Sequence, residues 1–352
     1  GGSLGLACRK RNLGGEVVGF DLRRDRLERA LERGAITRIA DSAEDAVAEA
    51  DVVVIATPVG SIPKVFAEIA SMIKGNACVT DVGSTKARVV SEIAGLPAHE
   101  RFVGGHPIAG AEEEGIEAAT DDLFEGCVWI LTPTEDSDPA SYTKLVRFVG
   151  QIGARVLSLD PSRHDQLVAL TSHLPQLISS TLMRFAAEIA AAEGGLPLVA
   201  AGGFRDMTRI AASSPNLWVE ILKDNTPAVL EVLERFETAL AEVHGHLEAA
   251  RWQEIAVALE NARSARRALP GKPGVAPVEL VELLIPVPDR PGVLSEITTT
   301  VGEAGINIED IDIVHSPEGG RGTIHLAISG KENSRLAAEA VERKGYRVTS
   351  AE

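Results

Sequence analysis

The chain has 352 residues, of which 45% are hydrophobic, enough for two or three domains that each bury a core. Its formal net charge of −16 disfavours nucleic acid or an anionic membrane surface as a partner. No apolar run reaches the roughly 18 residues of a membrane span, and no signal peptide is visible. The three cysteines are scattered without a C-x-x-C pair, which indicates neither a disulfide framework nor a metal site. They fit a reducing compartment, so we expect a cytoplasmic protein.

The first 160 residues alternate apolar strands with helices of about ten residues. Predicted strands cover residues 16–20, 51–56, 77–81, 101–104, 127–131 and 155–158, and predicted helices cover 25–33, 62–73, 87–94 and 142–152. Such an alternation is typical of parallel β-α units whose sheet is covered on both faces. It predicts an α/β domain over residues 1–160.

The N-terminal residues match the end of a dinucleotide-binding fingerprint, G-x-G-x-x-G followed about 20 positions later by an acidic residue. Gly1 fits the last glycine, and Asp21 ends the next predicted strand. A carboxylate there accepts hydrogen bonds from a ribose 2′-hydroxyl and repels a 2′-phosphate, which favours NAD over NADP. The alternative is an aspartate that merely ends a strand, and Arg23 and Arg24 weaken the preference. We expect the first strand and the first two glycines to precede the given residues.

Polar residues follow three of these strands, at the sheet edge where open α/β folds bind ligands. Thr57-Pro58 follows the strand at 51–56. Ser84, after the strand at 77–81, either bonds a neighbouring base or cofactor or caps the next helix. His106 follows two glycines, which predicts a loop histidine beside a ligand. Histidine suits proton transfer near neutral pH, although a loop histidine bonded only to nearby backbone is the alternative.

From residue 161 the pattern becomes helical. Residues 165–192 are apolar on most sides, which predicts a buried helix, and Pro175 is expected to kink it. Arg205 and Arg209 are four apart, so on a helix they share a face that suits a carboxylate. A structural pair with Asp206 is the alternative.

Further along, Trp218 is more typical of a core than of a ligand contact. An apolar stripe over residues 229–247 predicts a bundle or a subunit interface. Residues 270–277 have the composition of a linker. The order strand, helix, strand, strand, helix, strand over residues 278–352 predicts a ferredoxin-like βαββαβ unit.

Four stretches together resemble the prephenate dehydrogenase family with a C-terminal ACT domain. They are FVGGHPIAGAE (102–112), TSHLP (171–175), GGFRDMTRIA (202–211) and DRPGVLSEI (289–297). The resemblance covers essentially the whole chain. It implies a Rossmann-like NAD-binding domain at 1–160, an all-α substrate and dimerisation domain at 161–269, a linker at 270–277 and an ACT regulatory domain at 278–352. The implied activity is the oxidative decarboxylation of prephenate to 4-hydroxyphenylpyruvate in tyrosine biosynthesis, by a homodimer.

The resemblance also implies residue roles. His106 takes the proton of the ring hydroxyl, and Ser84 orients His106 beside the nicotinamide. Arg209 binds a substrate carboxylate, Trp218 contacts the other end of the substrate, and Glu112 gates the site mouth. The other candidates are Arg205, His173, Gln176 and Gly202 for the substrate, Gly1, Gly2, Asp21, Thr57, Pro58 and Ser84 for the cofactor, and Asp289, Gly292 and Asn307 for the effector, with L-tyrosine as the natural effector.

Two alternatives stay open. Many members of the family read S-H-L-P-H, and this chain has Gln176 in place of the last histidine, so arogenate competes with prephenate as the substrate. A protein of another class, an amino-acid sensor that has lost its cofactor, is the second alternative. The joint presence of His106, Ser84 and Arg209 argues against a sensor, which needs none of them. A relationship to β-hydroxyacid dehydrogenases explains neither the C-terminal unit nor the lack of an obvious catalytic lysine on the long helix.

Overall fold

The structure is a computed structural model that describes residues 1–110, 115–193, 200–269, 280–288, 290–315 and 321–351. Two of the candidate residues, Glu112 and Asp289, and the predicted linker lie outside these ranges. The chain divides into two compact units, Gly1–Glu242 and Val243–Glu352, and each is described by itself. No helix in the described part of the chain combines the length and the apolar character needed to cross a membrane.

The first unit begins with an α/β region. Its helices are α1 (Gly2–Lys10), α2 (Arg24–Glu32), α3 (Ala43–Val47), α4 (Ile62–Ile69), α5 (Ala87–Ile93) and α6 (Pro139–Ile152). Its strands are β1 (Val18–Gly19), β2 (Arg38–Ile39), β3 (Val52–Ile55), β4 (Cys78–Asp81), β5 (Gly104–Ile108), β6 (Val128–Thr132) and β7 (Arg155–Ser158). The pairs β1–β2, β3–β4 and β6–β7 are parallel, as predicted. The prediction of a wholly parallel arrangement is wrong for β5, which runs antiparallel to β6.

Apolar periodicity explains how the helices cover these strands. In α6, Leu145, Val149 and Ile152 recur at helical spacing and are fully buried in a cluster with Trp129 and Leu131 of β6. In α4, the buried residues Ile62, Phe66 and Ile69 follow the same spacing and join a second cluster with β3, β4 and α5. Burying each such side chain contributes about 1.5–3 kcal/mol.

The prediction that His106 lies in a loop is wrong, because it lies in the middle of β5 and pairs with Ile130 of β6. The two preceding glycines do not break the strand; they let it approach its neighbours closely. A Cβ atom on Gly105 would lie 2.5 Å from the main-chain oxygen of Asp81, and one on Gly104 would lie 2.5 Å from Oγ1 of Thr132. Because glycine has no Cβ atom, β5 can pass close to the end of β4, which brings His106 next to that end.

A fully buried ion pair between Asp81 and Lys86 fixes the same junction. One carboxylate oxygen of Asp81 accepts from Nζ of Lys86 and, at 2.8 Å, from the amide of Gly83. The other oxygen accepts from the amide of Gly105 at 2.9 Å. Asp81 thus ties the loop after β4 to the residue that precedes His106.

The helical part of the first unit contains α7 (Pro161–Val168), α8 (Leu174–Glu193), α9 (Gly202–Thr208), α10 (Pro215–Asp224) and the start of α11 (Thr226–Glu248). A π-helical turn, Ala169–His173, separates α7 from α8. The predicted break therefore precedes Pro175, whose ring would clash with the carbonyl of Thr171 in a regular helix. The expectation of a wholly buried helix over 165–192 is wrong, because Phe185 is 57% exposed and Ile189 is 44% exposed in the single chain.

The second unit contains the end of α11, then α12 (Trp252–Ala268) and a ferredoxin-like sheet. Its elements are β8 (Leu280–Pro288), α13 (Val293–Glu303), β9 (Ile308–His315), β10 (Arg321–Ser329), α14 (Lys331–Arg343) and β11 (Thr349–Ala351). The strand order is β11-β8-β10-β9 with antiparallel neighbours, which confirms the βαββαβ prediction. Leu283, Ile285, Ile324 and Leu326 form its core with Ile297 of α13.

We expect Gly105→Ala to lower the free energy of unfolding by about 1–3 kcal/mol, because the added methyl group overpacks the junction of β4 and β5. Urea unfolding followed by circular dichroism measures this change. Gly150→Ala is the matched control: Gly150 lies in α6 with open space around it, so alanine should stabilise by about 0.5–1 kcal/mol. Equal stability of the Gly105→Ala variant and the unmutated protein would contradict the close packing.

We expect Lys86→Met to lower the free energy of unfolding by about 3–5 kcal/mol, since it leaves the buried carboxylate of Asp81 without its countercharge. The Asp81→Asn/Lys86→Met double variant removes both charges and should recover most of that loss. The midpoint of urea unfolding at constant slope is the readout. A double variant no more stable than Lys86→Met would show that the ion pair is not the cause.

Candidate functional site

A cavity of about 270 Å³ brings three of the candidate residues together. Gly1, Ser84 and His106 all line it, although they lie on three separate elements of the chain. Leu123 and Phe124 line it as well and provide apolar surface. The cavity thus brings the N-terminus of α1 and the loop after β4 next to the histidine of β5.

Behind His106 lies a chain of hydrogen bonds into the helical region. Nδ1 of His106 is 2.8 Å from Nε2 of His164, and Nδ1 of His164 is 2.7 Å from Oδ1 of Asp165. The carboxylate of Asp165 also accepts from the main-chain amides of Lys86 and Ala87, at 2.8 and 2.9 Å. The relay of His106, His164 and Asp165 is therefore held in place by the main-chain amides at the start of α5.

These partners assign the protons of both histidines. An ionised carboxylate only accepts, so Nδ1 of His164 carries a proton, and in the neutral ring of His164 Nε2 is an acceptor. His106 must then donate from Nδ1. In the neutral ring, Nε2 of His106 carries a lone pair, which makes it a base for a hydroxyl proton in the cavity.

Electrostatics keep His106 neutral. Burial is the largest cause, and the cation of Lys86 adds to it, so the pKa of His106 lies well below its usual value of 6.5. A neutral imidazole is the form that accepts a proton. The site therefore holds its base in the receptive state at neutral pH.

Ser84 does not cap a helix, so that alternative is wrong. The residue at the N-cap position of α5 is Lys86, and no side chain of its own segment caps the helix. Asp165 supplies the capping carboxylate instead, from a distant part of the sequence. Ser84 instead lines the cavity, as His106 does.

The N-terminus of α1 suits a pyrophosphate. Gly5 makes the first bond of this helix, from its amide to the carbonyl of Gly1, which leaves the preceding amides ahead of the helical ladder. Ser3 also lines the cavity. Asp21 is exposed after β1, and its carboxylate accepts from the amide of Arg23 at 2.8 Å. These residues fit a dinucleotide. Exposed Thr57 and Pro58 follow β3, which pairs in parallel with β4, the strand before Ser84.

The substrate candidates fall into two groups. His173 is 1% exposed, and Trp218 contacts its ring edge-on at 5.9 Å between centroids. Buried Gln176 donates from Nε2 to Ser180, and its Oε1 has no hydrogen-bond partner within the described residues. Burial lowers the pKa of His173 to about 4.

The second group is exposed in the single chain. Gly202 and Arg205 lie in α9, whereas Arg209 begins a following 3₁₀ turn, Arg209–Ala212, so the two arginines do not share one regular helix. Nε of Arg205 donates to the carbonyl of Ala200 at 3.0 Å. Neither arginine is among the described residues that line the cavity.

In the second unit, Gly292 precedes α13 with φ of +92°, a left-handed conformation that favours glycine. Asn307 lies just before β9, and its amide donates to Glu309 at 2.8 Å. The effector candidates in the described residues are thus at helix and strand starts. Within the same ranges, no cluster of three or more His, Cys, Asp or Glu side chains is placed to hold a metal ion.

Sequence reasoning assigned no role to His164, Asp165, Lys86, Asp81 or Asn225. Two signals were available: a charged residue at the end of the apolar strand 77–81, and a histidine and an aspartate in the first turns of a helix. Both patterns are common in proteins without any site. Only their contacts give them a function.

Three family comparisons cover most of the chain. Residues 4–158 match the nucleotide-binding domain of prephenate dehydrogenase, residues 160–261 match its dimerization domain, and residues 281–344 match the ACT domain. The prephenate dehydrogenase of Bacillus subtilis is 33% identical over 98% of this chain and 93% of its own length. The cyclohexadienyl dehydrogenase of Zymomonas mobilis is 37% identical over 60% of this chain and 72% of its own length.

Solved structures agree. Prephenate dehydrogenase from Aquifex aeolicus, crystallised with hydroxyphenyl propionate and NAD+, is 30% identical with a TM-score of 0.71, over 75% of this chain and 93% of that chain. Arogenate dehydrogenase from Synechocystis is 28% identical with a TM-score of 0.65, over 76% of this chain and 95% of that chain. These findings confirm the predicted fold class: a Rossmann-like domain, a helical dimerisation domain and an ACT domain. The chain therefore belongs to the prephenate dehydrogenase family.

Proposed function

We propose that this chain oxidatively decarboxylates prephenate to 4-hydroxyphenylpyruvate with NAD, in tyrosine biosynthesis. One observation carries the proposal: a neutral histidine with an assigned lone pair shares a cavity with Ser84 and the N-terminus of a helix suited to a dinucleotide. The names of the relatives support the same substrate. A sensor without chemistry would not need this relay.

In the proposed mechanism, Nε2 of His106 accepts the proton of the ring C4 hydroxyl as the C4–H bond breaks. A nicotinamide held at the N-terminus of α1 would supply the hydride acceptor. The bond from the ring to its carboxylate then breaks, its electrons complete the aromatic ring, and CO2 leaves. His106 returns its proton to the phenol oxygen. Because aromatisation favours the products, the protein mainly has to orient the ring and provide one base.

We assign the cofactor to the N-terminus of α1, with Gly1 and Gly2 beside the pyrophosphate and Asp21 at the ribose. Thr57, Pro58 and Ser84 complete that edge, and Ser84 orients His106. On the substrate side, Arg209 binds a carboxylate, with Arg205, Gly202, His173, Gln176 and Trp218 around the rest of the molecule and Glu112 at the mouth.

Arogenate is the second candidate substrate, and Gln176 favours it. Oε1 of Gln176 is buried without a partner among the described residues, and such an oxygen accepts a hydrogen bond. The ammonium group of arogenate can donate that bond, whereas the keto group of prephenate cannot.

An assay of the full-length protein with both substrates separates the two. A higher kcat/KM for prephenate supports the first proposal. A higher value for arogenate, reversed by Gln176→His, supports the second.

We further propose that the enzyme is a cytoplasmic homodimer that L-tyrosine inhibits through the ACT domain. The dimer proposal rests on the apolar side chains that α8 and α11 expose in the single chain, among them Phe185, Ile189 and Leu240. The regulatory proposal places the effector near Asp289, Gly292 and Asn307. Both agree with the domain families that the chain matches.

We expect His106→Asn to lower kcat by about 10²–10⁴-fold, the usual effect of losing a general base, while KM changes less. Steady-state kinetics with prephenate and NAD measure both. His99→Asn is the matched control, because His99 does not line the cavity and its ring contacts the Leu96 carbonyl and the neighbouring Glu100. A near-normal kcat for His106→Asn would remove this histidine from the mechanism.

We expect NAD to be preferred over NADP, because the carboxylate of Asp21 repels a 2′-phosphate. Asp21→Ser should narrow the ratio of the two kcat/KM values. Asp136→Ser makes the same charge change at an exposed position and should leave the ratio unchanged. Equal use of both cofactors by the unmutated enzyme would show that Arg23 or Arg24 overrides Asp21.

We expect tyrosine to inhibit with a coupling free energy of about 1–3 kcal/mol. Deleting residues 277–352 should leave activity but abolish this inhibition, and Asn307→Ala should weaken it in the full-length chain. Inhibition curves at several prephenate concentrations test both variants. Inhibition that survives the deletion unchanged would mean that tyrosine competes at the active site.

A further inference from the structure

Asn225 lies in the turn that follows α10 and is 4% exposed. The preceding residue, Asp224, accepts hydrogen bonds from Thr85 and Arg88 of the α/β region. The amide of Asn225 points to the other side, toward α7 and the π-helical turn. Asp224 and Asn225 therefore contact the loop that carries Ser84 on one side and the segment that carries His173 on the other.

The orientation of this amide is determined by its partners. Nδ2 of Asn225 is 2.8 Å from the main-chain carbonyl oxygen of Asp165. A carbonyl oxygen only accepts, and a flipped amide would place two oxygens against each other at this distance. The nitrogen must face Asp165, so Asn225 is a donor on this side.

The same nitrogen is 3.3 Å from Nδ1 of His173. The amide nitrogen can only donate, so its second hydrogen assigns Nδ1 of His173 as the acceptor and places the proton of the neutral ring on Nε2. The edge-on contact with Trp218 fixes the plane of the ring. Burial is the largest influence on the pKa of His173. It outweighs the carboxylate of Asp165, which favours the protonated ring, and the ring is therefore neutral at pH 7.

We propose that Asn225 is a positioning residue that holds His173 as the Nε2–H tautomer, so that His173 donates a hydrogen bond to a substrate oxygen and does not act as a base. The substrate role of His173 rests on the proposed function, whereas its tautomer does not. The two histidines of the site then have opposite tasks. His106 presents a lone pair, and His173 presents a proton.

The tautomer is tested directly by ¹⁵N NMR of the full-length protein labelled at histidine, at pH 7. We expect Nδ1 of His173 unprotonated and Nε2 protonated. A His173 signal with the proton on Nδ1 in the unmutated protein would overturn the proposal without any variant.

Asn225→Asp replaces the donor with an acceptor of the same shape, so Nδ1 of His173 should become protonated. Asn216→Asp is the matched control, because it makes the same charge change at the exposed start of α10. Unchanged ¹⁵N signals of His173 in Asn225→Asp would also overturn the proposal.

A double-mutant cycle separates positioning from a structural role. Asn225→Ala should raise KM about tenfold, the effect of one misplaced hydrogen bond, with a smaller change in kcat. In a His173→Phe background the same substitution should change KM less than about twofold. A tenfold rise in KM in both backgrounds would assign Asn225 a structural role only. Absent turnover of prephenate and arogenate would contradict the proposed function, while the NMR result would still decide the tautomer.

Discussion

The site depends on one carboxylate, that of Asp165. It accepts hydrogen bonds from two main-chain amides at the start of α5, and so it caps that helix. It also accepts a hydrogen bond from Nδ1 of His164, and so it orients a relay that ends at His106. Because the carboxylate can only accept, the proton of His164 lies on Nδ1, and that of His106 lies on Nδ1 as well.

The second constraint is the junction between β4 and β5. Asp81 and Lys86 are buried together, and the carboxylate also holds the amide of Gly105. The glycines let β5 approach, and the cation of Lys86 helps to lower the pKa of the neighbouring His106. Packing and electrostatics thus act on the same residue: the strand fixes its position, and burial with nearby positive charge keeps it neutral.

Much of the fold follows from the sequence alone. Apolar segments between helices predicted β3, β4, β6 and β7, and helical spacing predicted α4 and α6. The order of elements predicted the ferredoxin-like sheet. The strand β2 has two residues and the helix α3 has five, and both were missed because so short a strand or helix shows no period of its own. The resemblance of four motifs was sufficient for the family, while the roles of the site residues remain proposals.

Tertiary structure alone decided the chemistry of the site. His106 and His164 are 58 positions apart, and Asn225 is 60 positions from Asp165, so no local pattern reveals either contact. Glycines before a histidine indicate a loop when read locally, yet here they make room for Asp81 and Thr132 across the sheet. By itself, the sequence determined which residue types were present and where most of the helices and strands lie. Which nitrogen of each histidine carries a proton depends on hydrogen-bond partners that only folding brings within 3.3 Å.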